Sequence, residues 1–125
     1  MVDKHVLVVE DEPDIATLLA LIFRDNYDVA VAADLAEARA VLARGPAPDV
    51  IVLDVMLPDG DGLDWCREVK AAHPAVAVVV VSAYVRPGLG ADAQGCGAEA
   101  FVEKPFDPDD LRGLVERLGR RRASA

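Results

Sequence analysis

Hydrophobic and polar positions alternate along this chain in two rhythms. Residues 6–9, 50–53 and 76–81 are short, continuous apolar runs rich in valine, with no polar position between the apolar ones. Strands buried on both faces have this pattern, which predicts a parallel sheet covered by helices. Weaker runs at 29–33 and 100–102 supply two more strands. Between them lie helical stripes with recognisable starts. Pro13 opens one in which Ile15, Leu18, Leu19 and Ile22 share a face. Asp34, three residues before Glu37, resembles a capping box ahead of Leu35, Ala38, Val41 and Leu42. Leu63, Cys66 and Val69 form a third stripe. Asp107 and Pro108 make an N-cap and first-turn pair before Leu111, Leu114, Val115 and Leu118. Strand and helix alternate five times, so the fold class is α/β, a doubly wound parallel sheet with helices on both faces.

Two stretches fit this pattern less well. The segment "VRPGLGADAQGCG", residues 85–97, should hold the fourth helix, yet it contains Pro87 and four glycines. Pro87 suits a first turn, and Gly95 or Gly97 suits a C-cap. Gly88 and Gly90, read as interior positions, each cost about 1 kcal/mol relative to alanine. A short or frayed helix is therefore expected. The closing "GRRRASA" has no apolar stripe, which puts the domain at residues 1–119 and a tail or the start of a linker at 120–125.

Composition narrows the field. At 125 residues the chain fits one domain, and 53% hydrophobic content excludes a disordered one. The net charge of −9 argues against nucleic-acid binding by this segment, since phosphate backbones need a basic face. No apolar run reaches membrane-span length and no signal-peptide pattern opens the chain, so a cytoplasmic protein without membrane contact is expected. Met1 stands a few residues before the first strand, which suggests an N-terminal position in the whole protein. Cys66 and Cys96 lack metal-type spacing and read as reduced thiols. His5 and His73 read as ordinary solvated residues.

The chemistry lies where the strands end. In an open parallel sheet, ligands bind beyond the carboxyl ends of the strands, where strand order reverses. Glu10, Asp11 and Glu12 follow the first strand, Asp54 ends the third, Ser82 follows the fourth and Lys104 the fifth. Singly, each has an ordinary explanation as a cap, a helix-dipole partner or a solvated charge. Together, four separate stretches deliver carboxylates, a hydroxyl and an ammonium to one edge. Carboxylates ~4 Å apart repel by about 4 kcal/mol per pair at an effective dielectric near 20, so such a cluster needs a cation. All-oxygen ligands with room for water suit Mg²⁺. A carboxylate flanked by Mg²⁺ and lysine can act as a nucleophile toward phosphorus. Asp54 is placed for that role, with the Ser82 hydroxyl available to a phosphoryl oxygen.

At these residues the sequence resembles the receiver domain of two-component response regulators, from "VLVVEDEP" through "VIVLDVMLPDGDGL" and "VVVVSAY" to "FVEKPF". The resemblance implies a flavodoxin-like five-stranded sheet of order 2-1-3-4-5, an order that general accounts illustrate with a receiver protein. It implies a phosphorylation-dependent signalling switch, not an enzyme, with Asp54 as phosphoacceptor and a sensor histidine kinase or phosphotransfer protein as donor. Asp11, Asp54 and the backbone carbonyl of Met56 would be direct Mg²⁺ ligands, with Glu10 acting through water. Lys104 would pair with the phosphoryl group, its bond to Pro105 is expected to be cis, and Ser82 and Phe101 would be the switch pair. Met56 and Tyr84, two residues after Asp54 and Ser82, would set the lifetime of the phosphoryl group. The face formed by the fourth helix, fifth strand and fifth helix would be remodelled to control an output domain or partner, and could also form a homodimer.

Some positions depart from the family pattern. Glu10 replaces the commoner aspartate. Phe101 replaces a frequent tyrosine, so that ring offers packing but no hydroxyl. "GAEA" replaces "GADD", so Ala100 lacks a carboxylate used in one salt-bridged dimer form. Two other readings remain: a receiver-like interaction module that is never phosphorylated, and a Mg²⁺-dependent phosphatase. The phosphatase typically has a second acid two residues after its nucleophile, where this chain has Met56. A calcium loop at "DGDGLD" fails because Asp64 stands where glycine is needed and Lys70 where glutamate is needed.

Overall fold

The computed structural model describes residues 4–83, 88, 91–92 and 95–124, with side chains described as far as Gly119. The elements run β1 (His5–Val9), α1 (Pro13–Phe23), β2 (Asp28–Ala32), α2 (Leu35–Arg44), β3 (Val50–Asp54), α3 (Gly62–Ala72), β4 (Ala77–Ser82), β5 (Ala100–Glu103) and a C-terminal helix (Pro108–Ser124). The five strands form one sheet in the order β2-β1-β3-β4-β5, with every pair parallel. That is the flavodoxin-like order expected from the resemblance. A separate two-residue antiparallel ladder, Met56–Leu57 against Gly60–Asp61, lies between β3 and α3. It is too short to leave a periodic signal in sequence.

The continuous apolar runs are buried on both sides, as their lack of alternation implied. Leu7, Val9, Ile51, Leu53, Val78 and Val80 face a core shared with Leu35 and Ala38 of α2 and Trp65, Cys66 and Val69 of α3. The intervening Val6, Val8, Val50, Val52, Val79 and Val81 face a second core with Leu19, Ile22 and Phe23 of α1 and Leu111, Val115 and Leu118 of the C-terminal helix. Successive strand residues point to opposite faces, so one valine-rich strand serves both layers.

Register fixes the carboxyl edge. Val9 is level with Leu53, and Leu53 with Val80. Glu10, Asp54 and Val81 therefore form the next row, one residue short of Ser82. Ser82 pairs with Glu103, and the Ser82 carbonyl accepts the Lys104 N–H at 2.9 Å, which carries the β4–β5 ladder one step further.

Several local expectations are refined. Leu18 is 39% exposed, and Ala16 and Phe23 take buried positions on α1 instead. The Asp34 carboxylate accepts the Glu37 N–H at 2.8 Å, but the Glu37 carboxylate accepts from Ala33, one residue earlier than a reciprocal box requires. Asp107 accepts from Asp109 and Asp110 at the start of the C-terminal helix. Backbone bonds from Asp92 to the Gly88 carbonyl and from Cys96 to the Asp92 carbonyl define helical turns in the fourth-helix region. Gly88 has φ +84°, so it precedes the helix in a left-handed conformation and carries none of the interior cost assigned to it. Gly97, at φ +93°, ends the segment as a C-cap glycine can. Gly90 and Tyr84 lie outside the described residues. The C-terminal helix continues through the basic stretch to Ser124.

Candidate functional site

The edge built by this register gathers residues from β1, β3 and β5. Glu10 directly follows β1, and its N–H donates to the Ala32 carbonyl at 3.0 Å, so the residue is held by the sheet rather than by a loop. It is only 3% exposed. Asp11 is exposed, and Asp54 at the end of β3 is half-buried. Carboxylate oxygens of Glu10, Asp11 and Asp54 all lie within 4.8 Å of one another.

Lys104 closes the cluster from the β5 side. Its Nζ donates to Glu10 Oε1 in a short ion pair and lies 3.5 Å from Asp54 Oδ2. At that second distance the attraction is about 5 kcal/mol at an effective dielectric near 20. Burial alone would lower the lysine pKa, but the hydrogen bond to Glu10 and the charge of Asp54 outweigh it and hold the ammonium above its ordinary value. Glu10 moves in the same direction. Burial raises its carboxyl, the bond to Lys104 opposes this, and the neighbouring Asp54 raises it further. One ammonium cannot balance three carboxylates, and the set remains net negative when all are ionised.

The donor set is oxygen-only and has an exposed member in Asp11. That composition fits a hard, partly hydrated divalent cation better than a softer metal.

The other expected site residues are distributed around this centre. Ser82 is 1% exposed at the end of β4. Phe101 is half-buried and packs on the core shared with α2 and α3, which also contains Cys96. Met56, two residues beyond Asp54, has 60% of its surface exposed. The Lys104–Pro105 peptide bond is cis. Cys66 and Cys96 are buried and not disulfide-bonded, and burial pushes the Cys66 thiol well above its ordinary range, which suits an inert core residue. His5 lies 3.5 Å from Asp28 at the opposite end of the sheet.

Two residues next to the site carry more than the sequence suggested. Gly62, the first residue of α3, donates its N–H to the Val55 carbonyl at 2.7 Å. A β-carbon there would stand 2.2 Å from the Asp54 carbonyl oxygen, so the helix approaches the end of β3 as only glycine allows. Asp59, at the turn of the short ladder, accepts the N–H groups of Leu35 at 2.9 Å and Ala36 at 3.0 Å on α2. The hydrogen bond from Leu35 leads in holding its carboxyl below the usual aspartate range. Partners more than twenty residues away left no sequence signal for that contact.

The response regulator receiver domain family matches residues 6–116 of the chain. Response regulator protein PilR of Pseudomonas aeruginosa is 39% identical over 113 residues, covering 90% of this chain and 25% of that protein. The alkaline phosphatase synthesis transcriptional regulatory protein PhoP of Bacillus subtilis is 35% identical over 120 residues, covering 95% and 50%. The chain thus spans a quarter to a half of these curated relatives. Among solved structures, NtrX of Brucella abortus, determined with ADP, superposes with a TM-score of 0.88 at 34% identity, over 98% of this chain and 28% of that one. Among the described residues, no helix is long and apolar enough to cross a membrane.

Proposed function

Because this chain belongs to the response regulator receiver family, whose domain covers residues 6–116, we propose that it is a phosphorylation-dependent switch that accepts a phosphoryl group on Asp54. The observation that carries this reading is the convergence of Glu10, Asp11 and Asp54 within 4.8 Å, with Lys104 Nζ 3.5 Å from Asp54. A nucleophilic carboxylate needs positive charge nearby as phosphoryl oxygens approach, and Lys104 supplies it from within the protein.

In the proposed transfer, an Asp54 carboxylate oxygen attacks phosphorus and the bond from phosphorus to the donor's imidazole nitrogen breaks, leaving an aspartyl phosphate. Asp11, Asp54 and the Met56 carbonyl would hold Mg²⁺ directly, and Glu10 through water. Bound there, the cation would neutralise charge on the transferring oxygens. Lys104 now pairs chiefly with Glu10, so transfer would redistribute its ammonium toward the incoming phosphoryl group. Ser82, one row beyond Asp54 on the neighbouring strand, would donate its hydroxyl to a phosphoryl oxygen. The resulting shift would pass to Phe101 and to the face made by the fourth helix, β5 and the C-terminal helix.

The donor would be a sensor histidine kinase or phosphotransfer protein, and the switched face would engage an output domain or a second copy of the chain. A tail or the start of a linker at 120–125, a cytoplasmic location and a single-turnover role, in place of a phosphatase cycle, fit this reading. Met56 would shield the acyl phosphate from water, together with Tyr84, and lengthen its lifetime. Incubation with acetyl phosphate and Mg²⁺ tests the assignment: one acid-labile phosphoryl group, also cleaved by base and hydroxylamine as an acyl phosphate is, should appear per chain, and none in Asp54→Asn. Continuous release of many phosphates per chain would instead support the phosphatase reading.

A further inference from the structure

The segment between Asp54 and α3 is braced from two sides. On the α3 side, the Asp61 carboxylate accepts the Leu63 N–H at 2.7 Å and the Gly62 N–H donates to the Val55 carbonyl at 2.7 Å. On the other side, Asp59 reaches across to α2 and takes both Leu35 and Ala36 N–H groups, one on each carboxylate oxygen. The next residue repeats the contact sterically: a β-carbon on Gly60 would lie 2.9 Å from Leu35 Cδ1. Leu35 is itself buried in the core with Leu53, Val55 and Leu57.

These contacts have an economical alternative that the protein does not use. Asp34 is the N-cap of α2 and accepts the Glu37 N–H. The Ala36 N–H is exposed and could have been left to water, whereas the Leu35 N–H, on a buried residue, needs a partner within the protein. Both are tied to a turn 24 residues along the chain. Within that turn, Gly60 pairs with Leu57 and Asp61 with Met56. Fixing Asp59 therefore fixes the ladder that carries the Met56 carbonyl, directly beyond Asp54.

We infer that Asp59 is a positioning residue for the divalent-cation site, setting cation affinity by clamping the loop after Asp54 to the start of α2. This rests on the metal reading above, and it assigns to α2, which contributes no ligand, a part in holding the site together. Partners behind metal ligands typically change affinity by about 10–100-fold when removed. Asp59 acts through backbone rather than by touching a ligand side chain, so the low end of that range applies.

The test is calorimetric titration of the full chain with Mg²⁺, set beside the melting temperature without Mg²⁺. Asp59→Ala should weaken Mg²⁺ binding about 10-fold, the low end of the range for such supporting partners. Asp59→Asn keeps one carbonyl acceptor for α2 and should recover part of that loss. Asp34→Ala removes a cap from the same helix without touching the loop, so it should lower the melting temperature and leave the Mg²⁺ affinity within twofold. If Asp59→Ala binds Mg²⁺ as the unsubstituted protein does, or if Asp34→Ala weakens binding equally, the positioning role is overturned and the metal site stands. Absence of saturable Mg²⁺ binding by the unsubstituted protein would overturn both.

Discussion

Removing Asp11 should change stability in opposite directions with and without Mg²⁺. Its carboxylate lies within 4.8 Å of those of Glu10 and Asp54 and is the exposed member of the three. Two like-charge pairs at that distance cost about 3.5 kcal/mol each at an effective dielectric near 20, but only ~0.9 each at the dielectric of water. Exposure places Asp11 near the second limit, so its repulsion totals about 1–2 kcal/mol. Some of this is offset, because a carboxylate just before α1 interacts favourably with the helix dipole, worth about 0.3–1 kcal/mol. Asp11→Ala should therefore stabilise the Mg²⁺-free protein by about 0.5–1 kcal/mol, a rise of roughly 2–4 °C in melting temperature. In the unsubstituted protein, Mg²⁺ at a hundredfold excess over Kd should add about 2.7 kcal/mol, most of which the variant would lose. Melting curves in chelator and in saturating Mg²⁺ should thus cross: variant above parent without the cation, parent above variant with it. A variant less stable in both buffers, or one that gains as much from Mg²⁺ as the parent, would refute the electrostatic reasoning.

Three other outcomes follow from the geometry. Lys104→Met leaves Glu10 and Asp54 without their ammonium, and breaking a buried pair by removing one partner costs about 3–5 kcal/mol, so chemical denaturation should show a loss of that order. Burial lifts the Glu10 carboxyl above its ordinary value of 4.5, so the stabilisation its protonated form provides is complete below that pH and is lost as pH rises through the folded value. Chelated protein should show this decline and Glu10→Gln should lack it; equal slopes would contradict the assignment. Gly62→Ala would press a methyl group against the Asp54 carbonyl, so the variant should lose about 1–3 kcal/mol and accept phosphoryl groups more slowly, read by melting and by acetyl phosphate labelling.

The sheet was legible in sequence because its strands are buried on both faces and so read as unbroken valine-rich runs, each ending where a charged or hydroxyl residue begins. Strand ends in a parallel sheet share one edge, which is why sequence alone groups Glu10, Asp54, Ser82 and Lys104. Positions governed by side-chain reach were harder. Glu10 is long enough to take Lys104 for itself, a pairing across 94 residues that register alone does not specify. Leu18 sits beside the apolar stripe of α1 yet turns outward, because Ala16 and Phe23 complete the buried surface. Gly88 looked like a helix interior because its backbone sign, φ +84°, is invisible in a string of letters. Asp59 and Gly62 read as loop composition, and only the approach of α2 and α3 gives each a specific partner.

The proposed switch depends on the carboxylate at the end of β3 being the phosphoacceptor. It is tested most directly by locating the phosphoryl group after reaction with acetyl phosphate and Mg²⁺, through borohydride reduction of the acyl phosphate and peptide mass spectrometry. The reduced residue should be Asp54 alone, chelation of Mg²⁺ should greatly reduce labelling, and Asp54→Asn should abolish it. Label on Glu10, Asp11 or any other carboxylate of the unsubstituted protein, with Asp54 unmodified, would contradict it.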